Sequence, residues 1–132
     1  MQTQTNIKIE FSISSDKKLN FEDITQRLEV LPTSQCLLHL NKQDRPEYTW
    51  EYATDKIETL DVGDVISQIT QRFAAKEQIL RDIKEEYDAV LKCCIVVEIE
   101  QGQTPGLYLD KETLHFLSNI EAELDIDLYV MS

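Results

Sequence analysis

The chain has 132 residues and a formal net charge of −12, with 13 basic residues against 25 acidic ones. Binding to nucleic acid or anionic lipid depends on Lys and Arg displacing counterions, so this balance disfavours both, and no basic run exceeds Lys17-Lys18. A 42% apolar content with only three Gly and three Pro fits one domain over residues 1–132, able to bury a core without disulfide or metal staples.

The three cysteines are Cys36, Cys93 and Cys94. An odd count with two adjacent is a poor disulfide framework. Neighbours in a strand point to opposite faces, so Cys93 and Cys94 are ill-placed to grip one ion, and free buried thiols are the expectation. The opening MQTQTNIKIE lacks a basic-plus-apolar leader, and no apolar run reaches a membrane span. A cytosolic setting is the expectation.

In chain order, Ile7, Ile9, Phe11 and Ile13 alternate with Lys8, Glu10 and Ser12, the period of a half-buried strand. Asn20 is placed to cap a helix, with Glu22 and Asp23 in its first turn. Phe21, Ile24, Leu28 and Leu31 share its apolar face, and Pro32 is expected to end it. Residues 36–40 are a short-strand candidate, and NKQDRPE is turn chemistry. Tyr48, Trp50 and Tyr52 alternate with Thr49, Glu51 and Ala53, predicting a strand with an aromatic face.

Asp61 is the next cap, before Val62, Val65, Ile66, Ile69 and Phe73 at helical spacing; Ile79, Leu80, Ile83 and Tyr87 continue a second helical stretch. The AAKE junction contains no breaker, so one bent helix and two helices are both compatible with it. Leu91, Cys93, Ile95, Val97 and Ile99 form one face of a strand whose other face is partly apolar, as in the middle of a sheet. QGQTPG reads as a turn, LYL as a short strand, Leu114, Leu117, Ile120 and Leu124 as a last helix, and Ile126, Leu128 and Val130 as a closing strand. The resulting order is β-α-β-β-α-α-β-β-α-β. It predicts an α+β fold, a mainly antiparallel sheet with helices packed on one face, and its opening βαββαβ run allows a ferredoxin-like core.

The fragments FEDITQRLEVLPTS, YTWEY, VGDVISQITQRF, KCCIVVEIE and TPGLYLDKETLHFLSNIEAELDIDLYV, in this order and spacing, resemble an uncharacterised, mostly bacterial family, domain of unknown function 4279. The resemblance runs from the first strand to the last. The stretch between Thr33 and Trp50 departs from it, lacking a Gly after Pro32-Thr33. The resemblance implies the fold and carries over no catalytic residue.

Five residues are the candidate ligand or partner surface: Trp50, Tyr52, Asp125, Asp127 and Tyr129. Carboxylates two apart on a strand share a face and can hold Mg²⁺ or Ca²⁺, or divide acid and base roles; the plainer reading is a solvated strand face. Trp50 suits a pocket floor or, more simply, a core anchor. His39 and His115 have no ligand partner at a recognised spacing, and HExxH, GxSxG, the P-loop and GxGxxG are absent from the sequence. The acidic positions Glu51, Asp55, Glu58, Asp61 and Asp64 read as solvated faces and caps, or as a greeting for a basic partner.

The leading functional expectation is a small non-enzymatic protein-binding or regulatory domain with a basic protein partner, an immunity-type mask over a toxin being one concrete form. The alternative is a small-molecule or metal binder, or an enzyme, using Trp50/Tyr52 and Asp125/Asp127. No catalytic residue, resident metal or cofactor is assigned, and the sequence leaves self-association open.

Overall fold

The computed structural model describes residues 4–41 and 43–131, and at 37–39 the backbone alone; His39 therefore lies, in its side chain, outside the described residues. Strand β1 (Asn6–Ser15) buries Ile7, Ile9, Phe11 and Ile13 completely, as its alternation predicts. Helix α1 (Phe21–Leu28) starts where Asn20 Oδ1 accepts the Asp23 N–H at 3.0 Å. It stops before Pro32, because Glu29 turns left-handed at φ 58° and its N–H returns to the Thr25 carbonyl. Leu31 consequently leaves the apolar face and is 79% exposed.

Strands β2 (Ser34–Leu40) and β3 (Pro46–Ala53) form an antiparallel hairpin, and β4 (Ile57–Glu58) is a short pairing along β1. The AAKE question resolves into two helices, α2 (Val62–Phe73) and α3 (Glu77–Glu86), joined by a 3-10 turn at Ala74–Lys76. Asp61 caps α2 through the Gly63 N–H at 2.9 Å. Strand β5 (Val90–Ile99), helix α4 (Lys111–Asn119) and strand β6 (Glu123–Val130) complete the order.

Two expected boundaries are corrected. LYL forms no strand; its neighbourhood contributes only an isolated bridge between Gly106 and Asp61, and β4 is the additional strand instead. Leu124 belongs to β6 rather than to the last helix. Glu121 turns left-handed at φ 55°, the Ala122 N–H reaches the Leu117 carbonyl at 2.9 Å and the Glu121 N–H the Ser118 carbonyl at 3.0 Å. That crossed pair of bonds ends a helix whatever apolar residue follows.

The sheet runs β2-β3-β1-β5-β6, antiparallel at every neighbour except the parallel β5–β6 pair. Both β1-α1-β2 and β3-α2-α3-β5 skip a strand, so β2-β3-β1-β5 has the order and directions of a ferredoxin-like core. The β5-α4-β6 unit extends that sheet by one parallel strand. The helices cover the face carrying Ile9, Phe11, Trp50, Leu91, Cys93 and Ile95, where one hydrophobic cluster also takes in Leu28, Val65, Ile69, Phe73, Leu80, Ile83 and Phe116. Phe11 and Phe73 lie 4.9 Å apart between ring centres, and Tyr52 meets Phe73 edge-on at 5.8 Å.

The open face of the sheet as candidate functional site

Alternation sends every second strand residue to the face that no helix covers. The register brings Ser12 opposite Glu51 and opposite Lys92, Glu10 opposite Cys94, and Cys94 opposite Asp125. The same parity places Lys8, Glu47, Glu98, Glu123, Asp127 and Tyr129 on this side. The carboxylates of three central strands and the β6 edge are thus gathered on one surface with only Lys8 and Lys92 from these strands among them.

A shallow cleft of about 240 Å³ lies over Glu10, Ser12, Glu51, Cys94, Asp125 and Asp127. It shares Ser14, Glu47 and Lys92 with a wider cleft of about 620 Å³ toward the β2–β3 turn, where Asn41, Arg45 and Asp88 contribute. Together they form a polar trough across the sheet.

The electrostatics follow from burial first and from crowding second. Burial raises the Glu51 carboxyl above its ordinary value, and the neighbouring Glu10 charge raises it further against the pull of Lys8. Lys8 is bound to Glu10 at 3.0 Å, and this bond raises its own pKa. Lys56 reaches over from outside the strand to Glu98 at 2.9 Å. Cys94 Sγ lies 3.5 Å from Asp127 Oδ2, as a donor to it. Burial first, and then the Asp127 charge, push that thiol up to about 12, so it is neutral at physiological pH and no thiolate nucleophile. Cys93, on the core side, is likewise raised to about 12 by burial. The ligand atoms of Cys94, Asp125 and Asp127 all lie within 4.8 Å of one another. That is close enough for one divalent ion, which would have to displace the thiol proton to bind sulfur.

The five sequence candidates therefore divide. Asp125, Asp127 and Tyr129 stand on the open face. Trp50 is fully buried on the opposite face, its Nε1 donating to Thr25 Oγ1 at 3.0 Å, so it is a core anchor and does not share a cavity with Asp127. Tyr52 packs beside it against Phe73, with the Arg72 guanidinium over its ring at 5.5 Å. His115 is exposed on α4. Of the acidic run, Glu51 joins the open face and Glu58, paired with Asn6, shares its parity at the far end of β1; Asp61 caps α2 and Asp64 lies in that helix's first turn. Glu10 and Cys94 join the site from outside the sequence candidates, and Glu51 enters it from the acidic run. Their strand alternation was readable, but which strands lie side by side was not.

No helix among the described residues is long and apolar enough to cross a membrane. No curated protein and no solved structure matches the chain. A family model matches residues 4–131, nearly every residue, and by that match the chain belongs to the family described as Domain of unknown function (DUF4279).

Proposed function

We propose that this is a non-enzymatic protein-binding domain whose open sheet face receives a basic segment of a partner protein. The observation that carries the reading is the crowding of Glu10, Glu51, Asp125 and Asp127 around one trough, with Glu51 raised by burial and by Glu10. Like charges held together in a half-buried setting store repulsion that an arriving Lys or Arg relieves. The neutral Cys94 thiol supports binding over nucleophilic chemistry at this face. Masking the basic surface of a toxin is a concrete form of the same role. The free cysteines suit a reducing, cytosolic setting.

The test compares a Lys-rich and a Glu-rich peptide against the wild-type chain and a Glu51→Gln/Asp127→Asn double variant, by calorimetry. The Lys-rich peptide is expected to bind the wild type at low salt, to weaken with added salt, and to weaken in the variant. Equal binding of both peptides, or no loss in the double variant, overturns the reading.

A second reading rests on the convergence of Cys94, Asp125 and Asp127: we propose that a divalent cation can occupy this corner of the trough. Melting with Zn²⁺, Cd²⁺ and Mg²⁺ checks it, since an ion bound only by the folded state raises the midpoint. A shift that Asp127→Asn abolishes supports it; no shift with any of the three removes it.

A further inference from the structure

The sheet has two edges, and they are finished differently. At one end β2 is interrupted by a register shift between Cys36 and His39, the kind of irregularity that spoils an edge as a template for further pairing. At the other end β6 runs in continuous register from Glu123 to Val130, with no Lys, Pro or Gly along its length. Among the described strands, β6 pairs on one side only.

Its backbone has a readable polarity. The Met131 N–H donates to the Ile99 carbonyl at 2.9 Å, so residues of Met131's parity turn their N–H and C=O inward to β5. Strand alternation then turns the N–H and C=O of Leu124, Ile126, Leu128 and Val130 outward. The side chains of these same four residues point to the helix side, beside Cys93, Ile95, Val97 and Ile99, which are buried. Yet they are 40%, 38%, 55% and 76% exposed. The aspartates on the other face of β6 are half-buried. An unbroken edge with an uncovered apolar row is a pairing surface with a side-chain preference already written into it.

That preference identifies the occupant. One face of β6 is apolar; the other presents Glu123, Asp125 and Asp127. A strand added here places alternate side chains beside each row. We infer that the β6 edge captures an extended segment of a partner protein in which apolar and basic residues alternate, adding a further strand to the sheet. Apolar side chains of that segment lie against Leu124, Ile126 and Leu128, and its Lys or Arg side chains reach the carboxylates at the rim of the trough. A second copy of this chain suits the edge less well, because its own β6 would bring another row of carboxylates to the same face. This rests on the proposed binding of a basic partner and specifies how the partner is held.

The experiment uses a synthetic eight-residue peptide alternating Val and Lys, a block peptide of identical composition, and the full chain, followed by titration and by amide hydrogen exchange. The alternating peptide is expected to bind about tenfold more tightly than the block peptide and to protect the amides of Leu124, Ile126, Leu128 and Val130. Leu128→Lys is expected to abolish this difference, with Leu128→Pro as a second variant that removes one outward donor which β5 does not use. Equal binding of the two peptides without amide protection overturns strand addition while leaving basic-partner binding intact. Failure of both peptides to bind overturns both. Protection of the same amides without peptide, with a doubled mass, makes a second copy the occupant and also overturns the inference.

Discussion

Ile9 and Glu10 are neighbours on β1 and stand in opposite environments. Ile9 is fully buried under the helices, while Glu10 looks onto the uncovered trough beside Cys94. The two faces of this sheet are made from the same strands by alternate residues. One face is held by close packing, where Phe11, Phe73, Trp50 and Ile69 fill the space between sheet and helices. The other gathers Glu10, Glu51, Asp125 and Asp127 over one cleft, with Lys8 bound to Glu10 and Lys92 in the same lining. The difference teaches how one sheet can divide its roles: one face favours the fold, and the other carries a raised Glu51 carboxyl, which in the proposed function an oppositely charged partner relieves.

The largest expected effect separates the faces most sharply. Trp50→Ala empties a fully buried site and strips Thr25 of its indole partner, and is expected to cost about 3–5 kcal/mol in urea unfolding. That is a large part of the stability of an ordinary domain. A cost below about 1 kcal/mol, as for a surface position, would break the assignment of Trp50 to the core.

The opposite face predicts the opposite sign. The folded-state pKa of Glu51 lies above its ordinary value, so its contribution favours the folded state below the unfolded pKa and is lost as pH rises through the raised folded value. At neutral pH the ionised Glu51 therefore weighs against folding. Glu51→Gln is expected to raise neutral-pH stability by a fraction of a kcal/mol, since the side chain keeps partial access to water, and to flatten the pH dependence just above the carboxylate range. Destabilisation at neutral pH would show that Glu51 is held by partners rather than crowded by them.

The smallest effect concerns reactivity rather than stability. With both thiols raised to about 12, Cys93 and Cys94 are expected to react slowly with a disulfide reagent near pH 8, leaving half-buried Cys36 as the first site labelled. Mass mapping after brief labelling checks this; Cys94 labelled first would contradict the environment described for the trough.

Much of the fold was legible because local rules and tertiary packing agree. The alternation of Ile7, Ile9, Phe11 and Ile13, the caps at Asn20 and Asp61, and the helical spacing from Val62 to Phe73 all appear in the structure as read. Where the reading slipped, a backbone turn decided against side-chain pattern. Leu31 and Leu124 continue helical periodicities, yet Glu29 and Glu121 adopt left-handed conformations that end those helices first. The candidate site was half legible. Asp125, Asp127 and Tyr129 were placed on one strand face by spacing alone, whereas Trp50 and Tyr52 alternate in the same way and fall on the other side of the sheet.

The sequence by itself determined the long strands, the helices apart from their ends, and which residues of each strand keep company along it, because those depend on residues two to four apart. Only the tertiary structure decided which strands are neighbours, and through that which face is covered. It joined Glu10, Cys94 and Asp125, from distant parts of the chain, into one row, and left the apolar side of β6 uncovered at the end of the sheet. The physical reason is that a period of two fixes relative facing within a strand, while absolute facing is fixed by long-range pairing and by where the helices come to rest.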